Sequence, residues 1–400
     1  MSTYGEVLKT PGVASTLAAQ LIGRFPIGMY AIGLLLHVQY AFDSYAAAGV
    51  VLAALSGGQA IATPFTTRLM SRLGTRTLLL ITTTISVSSM FGIALLSAPL
   101  WVYIVLGATT GLAMPPIGPT ARTIYPRLLS QRQLPPLFSF DAMLQEIIFI
   151  MGPVAITFLV TSVNSTVALA VAASVQLVGS VWFALLPRVG NLRIPPTNKR
   201  MGAVLKKGPV RLVVVIGFLV IGGLAGAEAG IVAVYGHDGP EAGWILAIGA
   251  LGSICGGLIF GSRTISKRSL AIRCGILALG LAAAPLVMTF WGLAATLFVA
   301  SIGCAPALAA ISAIIAGSVK FADTPESYGW VNSGQLVGVA LCSGLAGVLI
   351  DVIGPAGGLI VGATAALLAT VTAFVFRDAQ PDLTDGIVEP PPTAPIELPR

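Results

Sequence analysis

Three ionisable side chains sit inside long apolar stretches of this chain: Arg24, Glu146 and Glu228. Such a group costs roughly 2.5–3.5 kcal/mol to insert into a bilayer, so each is a candidate for function. The chemistry open to them is ion pairing, anion recognition and proton exchange. Arg24 and Glu146 fall about nine and about eight residues into apolar runs over 15–38 and 138–162. At 1.5 Å per residue, both lie roughly 12–14 Å from the same end of their helices. Equal depth and opposite charge make them expected partners. Either Arg24 binds an anionic group or modulates Glu146, or the two form a permanent ion pair. Glu228 lies about 19 residues into a run over 209–235, in the outer half, with no Lys or Arg near it in sequence. A buried carboxyl without a partner can exchange a proton near neutral pH, as a proton-coupled carrier requires. The alternative is a carboxyl hydrogen-bonded near the outer mouth.

Neutral polar residues extend this set. Gln20, Gln59, Gln145, Asn332 and Gln335 lie in apolar runs and suit either a substrate or interhelical hydrogen bonds. Gln145 and Glu146 are adjacent and point to different faces, whereas Asn332 and Gln335 share one. Asp141 and Arg122 sit near helix ends, where gate or loop ion pairing is expected. Gly222, Gly226 and Gly230 recur every fourth residue, a spacing that lets helices approach closely and could let one bend. Gly334 and Gly338 read the same way.

Other chemistry is thin. The four Cys lie in apolar runs without a C-x-x-C pair, so neither a disulfide framework nor a metal site is indicated. No G-x-x-x-x-G-K-[ST] phosphate loop appears. The two His, His37 and His237, fall near run ends, and no nucleophile–base set can be assembled. No enzyme activity or cofactor is expected.

The elements that must position these groups are membrane spans. Only 9% of residues are charged and 56% are hydrophobic, far from the roughly 25% charge of a soluble domain. A span needs roughly 20 apolar residues. About twelve such runs are read, at 15–38, 45–68, 77–97, 100–124, 138–162, 165–187, 209–235, 242–262, 270–290, 293–319, 327–350 and 355–376, numbered here as spans 1 to 12. Apart from Arg24, the Lys and Arg residues fall in or at the edges of alternate gaps between these runs. The intervening gaps hold Asp43, His237, Asp238, Glu241 and Asp351. This positive-inside pattern predicts two cytoplasmic termini. The net charge of +7 is spread over loops, which argues against nucleic acid as a partner. All five Trp lie near run ends, as interfacial anchors do. The expected organisation is a first six-helix bundle over 1–187, a cytoplasmic linker over 188–208, a second bundle over 209–376 and a disordered tail over 377–400.

The segment Thr67–Arg76, TRLMSRLGTR, is similar to the G-x-x-x-D-R-x-G-R-R loop of the major facilitator superfamily. Arg72, Gly74 and Arg76 keep its basic and Gly positions, while Thr67 and Ser71 stand where that family has Gly and Asp. The Asp helps to latch the cytoplasmic gate there. Gly107, Thr110 and Gly111 fall on the R-x-x-Q-G pattern of proton-coupled members without its Arg. Gly152 and Pro153 resemble the Gly-Pro core of an antiporter motif, with Ile148, Ile156 and Thr157 replacing flanking glycines. The resemblance implies an all-α membrane protein with about 12 transmembrane helices in two pseudo-symmetric six-helix halves. It implies a monomer in the inner or plasma membrane, working by alternating access around a central site. Proton-coupled efflux of a small, fairly apolar drug or metabolite is the expected activity. Uptake of a small polar or anionic solute on Arg24 is the alternative, and a non-transporting receptor or scaffold is an alternative of another class.

Overall fold

The computed structural model describes residues 2–130, 133–196, 200–235, 241–261 and 263–383. Twelve helices among them are long and apolar enough to cross a membrane. They are Val13–Phe42, Tyr45–Leu73, Thr75–Leu95, Leu100–Leu128, Leu134–Ser162 and Ser165–Leu185, then Gly208–Tyr235, Glu241–Phe260, Ser269–Leu286, Phe290–Ser318, Phe321–Ile353 and Ala356–Val375. In hydrocarbon every backbone polar group must bond internally, which apolar helices achieve within themselves. Side-chain caps start several of them. Ser44 accepts from the Ala47 N–H at 3.2 Å, Asn164 from Val167 at 2.8 Å and Thr289 from Gly292 at 3.2 Å. Among the described residues the one β pairing is a bridge between Ile265 and Leu383.

The second six spans repeat the pairings of the first six. Span 1 packs on spans 5 and 6, and span 7 on spans 11 and 12. Span 2 packs on span 4, and span 8 on span 10; span 3 packs on span 6, and span 9 on span 12. This is the fold of two pseudo-symmetric halves expected from sequence. The halves meet mainly through span 2 on span 11 and through span 5 on spans 8 and 10. Those contacts use Ala60, Thr63, Thr67 and Arg68 against 326–333, and Ser139 and Met143 against Gly257. All lie toward the end of the bundle crossed by the segment linking the halves, termed here the linker end.

Two local features depart from the sequence reading. Span 4 breaks over 113–116, giving helices Leu100–Leu112 and Ile117–Leu128. Pro116 lacks an N–H and Pro115 disfavours helix at the residue before it. The second piece carries Arg122 toward spans 1 and 5. Residues 377–383, expected to begin a disordered tail, pack onto the bundle instead. Gln380 Nε2 donates to the Ala373 carbonyl at 3.1 Å, and Leu383 N–H to Ile265 at 2.9 Å, burying the apolar Leu383. The rest of the expected tail, like His237 and Asp238, lies outside the described residues.

Candidate functional site

Arg24 does not pair with Glu146. It lies buried in the first half and its Nη1 reaches Asp141 Oδ1 at 3.1 Å. Arg122 Nε meets the other oxygen of the same carboxylate at 2.8 Å. Gln20 Nε2 and Tyr125 Oη also donate to Asp141 Oδ1, at 2.9 and 3.0 Å. Gln145 Oε1 accepts from both arginines, at 2.6 Å from Arg24 and 3.1 Å from Arg122. Asp141 and Arg122 are therefore a buried charge centre rather than loop residues. The reason is helix periodicity: Gln20 and Arg24, like Asp141 and Gln145, are four residues apart and share a face. That spacing was a readable signal. Gln145 belongs to this centre, while its neighbour Glu146 points elsewhere.

Glu146 faces the second half. Cys304 Sγ of span 10 donates to its Oε1 at 3.8 Å. Ser253 Oγ of span 8 lies beside the same carboxyl without completing a hydrogen bond. Glu228 of span 7 approaches closely enough for the two carboxyls to interact electrostatically, and Cys304 senses both. Glu228 has no hydrogen bond or ion pair among the described residues. Its side chain is exposed. The expected difference in depth between Glu146 and Glu228 is reduced rather than removed. Span 5 starts at Leu134, twelve residues before Glu146, so that carboxyl lies deeper than expected. Glu228 lies twenty residues after Gly208, the start of span 7. Among the described residues no His, Cys, Asp and Glu group could hold a metal ion.

A third charged arrangement closes the linker end. Glu326, buried at the start of span 11, accepts Arg68 Nη1 of span 2 at 3.3 Å. It also accepts the Gly202 N–H of the linking segment at 2.8 Å and Trp330 Nε1 at 3.4 Å. Beside it, Lys207 Nζ meets Asp323 at 3.2 Å. Ser71, at the family's Asp position, bonds only locally to the Arg68 carbonyl at 2.9 Å. Arg72 and Arg76 are exposed. Gly74 takes φ +81°, a conformation that side chains rarely adopt, at the turn between spans 2 and 3. Sequence reasoning passed over Glu326 because it fell one residue outside the apolar run that begins at 327.

The remaining candidates sit at helix contacts. A Cβ on Gly222 would meet the Gly338 backbone of span 11 at 2.7 Å, and one on Gly230 would meet Leu359 of span 12 at 2.7 Å. Gly226 lies against Val361 of span 12. Gly152, beside Pro153, lies against the backbone of Gly28 in span 1. Asn332 Nδ2 reaches Thr63 Oγ1 across the halves at 3.5 Å, and Gln335 packs at Gly217 of span 7.

A two-half bundle of twelve candidate spans, with charged groups enclosed within and between the halves, is the architecture of a polytopic membrane protein. The chain matches the family profile described as Major Facilitator Superfamily over residues 16–235 and 212–398. It belongs to that family. No curated protein matches the sequence. Similar solved structures include a bacterial homologue of the iron transporter ferroportin in an outward-facing state with soaked iron, at 14% identity and TM-score 0.73, covering 91% of this chain and 98% of that one. The human organic anion transporter MFSD10 (TETRAN) gives 13% and 0.71, with 92% and 99% covered. The transporter FucP in its outward conformation gives 13% and 0.70, with 92% and 99% covered. At these identities the likeness concerns the fold.

Proposed function

We propose that the protein is a proton-coupled secondary transporter that exports a small, largely apolar molecule by alternating access. It works as a monomer in the cell membrane with both termini in the cytoplasm. The observation that carries this reading is that Glu146 and Glu228, on different halves, interact electrostatically without a cationic partner among the described residues. Two carboxylates that interact repel, and uptake of one proton relieves that repulsion. When the halves rock, the separation of the pair changes, so proton occupancy and conformation become linked. The absence of a balancing cation matters, because an arginine would hold the charge in place and remove the need for a proton. With the basic loops inside, the contacts at the linker end close the cytoplasmic side and leave the site facing outward. Gly152 and Pro153, packed on Gly28 of span 1, support the export direction through their likeness to the antiporter motif.

Proteoliposomes with an imposed proton gradient test the reading. Lumenal pH is followed while lipophilic compounds are added to wild-type protein and to Glu228→Gln. Substrate-evoked proton flux in the wild type that is lost in the variant is expected. Equal, gradient-independent transport in both would remove Glu228 and proton coupling from the account.

A further inference from the structure

The charge centre of the first half does not sum to zero. Arg24 and Arg122 remain protonated at any physiological pH. Asp141 is the one acid that either of them pairs with among the described residues. Glu146, the next acid along span 5, is turned to Cys304 on span 10. One positive charge is therefore left over inside a membrane bundle, where an unbalanced charge is expensive.

The hydrogen bonds leave the same surplus. Asp141 Oδ1 already accepts from Gln20, Arg24 and Tyr125, and Oδ2 from Arg122. Gln145 Oε1 accepts from both guanidinia. Nη1 of Arg122 and Nε of Arg24 have no acceptor among the described residues. Gly118 stands beside the Arg24 guanidinium, where a Cβ would be in ordinary van der Waals contact with Nε at 3.5 Å. Both side chains keep some access, 8% for Arg24 and 15% for Arg122. Two forked donors with free N–H groups and one surplus charge suit a planar anion held by paired hydrogen bonds.

We propose that Arg24 and Arg122 form an anion-binding site, and that the transported molecule is a small, mostly apolar organic acid presenting a single carboxylate or sulfonate to them. The surplus is one charge, which selects a monoanion over a dianion. Gln145, which touches both arginines, is neutral, so the rest of the molecule is left to apolar and hydrogen-bonding contacts. This rests on the transporter reading above but not on proton coupling at Glu228.

Binding to purified protein in nanodiscs decides it. Benzoate, 2-naphthoate and octanoate are titrated alongside their amides and amines, for wild type, Arg122→Gln, Arg122→Lys and Glu228→Gln. At least one carboxylate should bind tenfold or more tightly than its amide, lose tenfold or more in Arg122→Gln and recover in Arg122→Lys. If no carboxylate outbinds its amide in the wild type, or if Arg122→Gln folds and leaves the carboxylate affinity unchanged, the anion site is overturned. Should Arg122→Gln fail to fold, the comparison of carboxylate with amide in the wild type decides alone. Carboxylate binding retained in Glu228→Gln, with its proton flux unchanged, would uphold the anion site while removing the proton pair.

Discussion

The two charged centres of this protein are built on opposite plans. Around Asp141, two other helices of the same half supply four donors to a single carboxylate, and each bond lies between 2.8 and 3.1 Å. Around Glu146 of the first half, helices of the second half supply one thiol at 3.8 Å, a serine out of bonding geometry and a second carboxyl. Charge within one packed unit can be fully bonded, because its geometry is kept while the halves move. Charge at a boundary that opens and closes must stay loosely held, or it would lock one state. The first centre is read as architecture and recognition, the second as the moving part.

The sharpest way to break that contrast is to remove each carboxyl in turn. Asp141→Ala leaves two guanidinia in a buried site without their counter-charge, a loss of about 3–5 kcal/mol. Severe destabilisation or failure to fold is expected in detergent, read by thermal unfolding. Glu146→Ala removes a group with one weak bond and one repulsive neighbour, and should change the midpoint little. Comparable losses in both variants would mean that the two centres do not differ as argued.

Function should invert that order. Glu228→Gln keeps shape and removes the ionisable group, so stability should stay near wild type. Substrate-evoked proton flux in proteoliposomes should fall at least tenfold, as loss of a proton-transfer group does. Flux that survives would reduce the loosely held centre to a packing defect.

The twelve spans, the two halves and the buried ionisable residues were legible because a bilayer imposes length, apolarity and a charge rule on the sequence. Partners were not. Arg24 was matched to Glu146 by depth along the chain, but a helix face is chosen by angle as well. Asp141 lies five residues before Glu146, on a different face, and takes the arginine. Gln20–Arg24 and Asp141–Gln145 at spacing four carried this information. The electrostatic interaction of Glu228 with Glu146 runs between the halves, and hydropathy alone does not give how two halves pack. Glu326 escaped notice because it stands at a helix start beside Pro325, outside any apolar run.

Glu326 sharpens the comparison from a third position. It bridges the halves like Glu146, yet it is bonded by Arg68, Gly202 and Trp330. It therefore reads as the lock of one state: a charge that is satisfied when the linker end is closed and released when it opens. Here the acid, Glu326, stands on span 11 and its cation, Arg68, on span 2, three residues before Ser71. Glu326→Gln should favour opening there. With cysteines introduced at Thr63 and Asn332, whose side chains meet at 3.5 Å, cross-linking should slow about tenfold, equivalent to ~1.4 kcal/mol. An unchanged rate would show that span packing, with Gly329 set against Thr67, closes this end without help from charge.

The smallest effect belongs to Lys267 and Asp378. They form an ion pair at 3.7 Å with side chains 46% and 80% exposed. Both belong to the second half or its tail, so the pair is neither enclosed nor carried across the moving boundary. Exposed pairs gain little, because water competes for each partner and ordering two side chains offsets the attraction. Lys267→Ala should leave the thermal midpoint, the cross-linking rate and proton flux at wild-type values. A loss comparable to that of Glu326→Gln would mean that net charge at the linker end, rather than enclosure and position, governs all of these contacts.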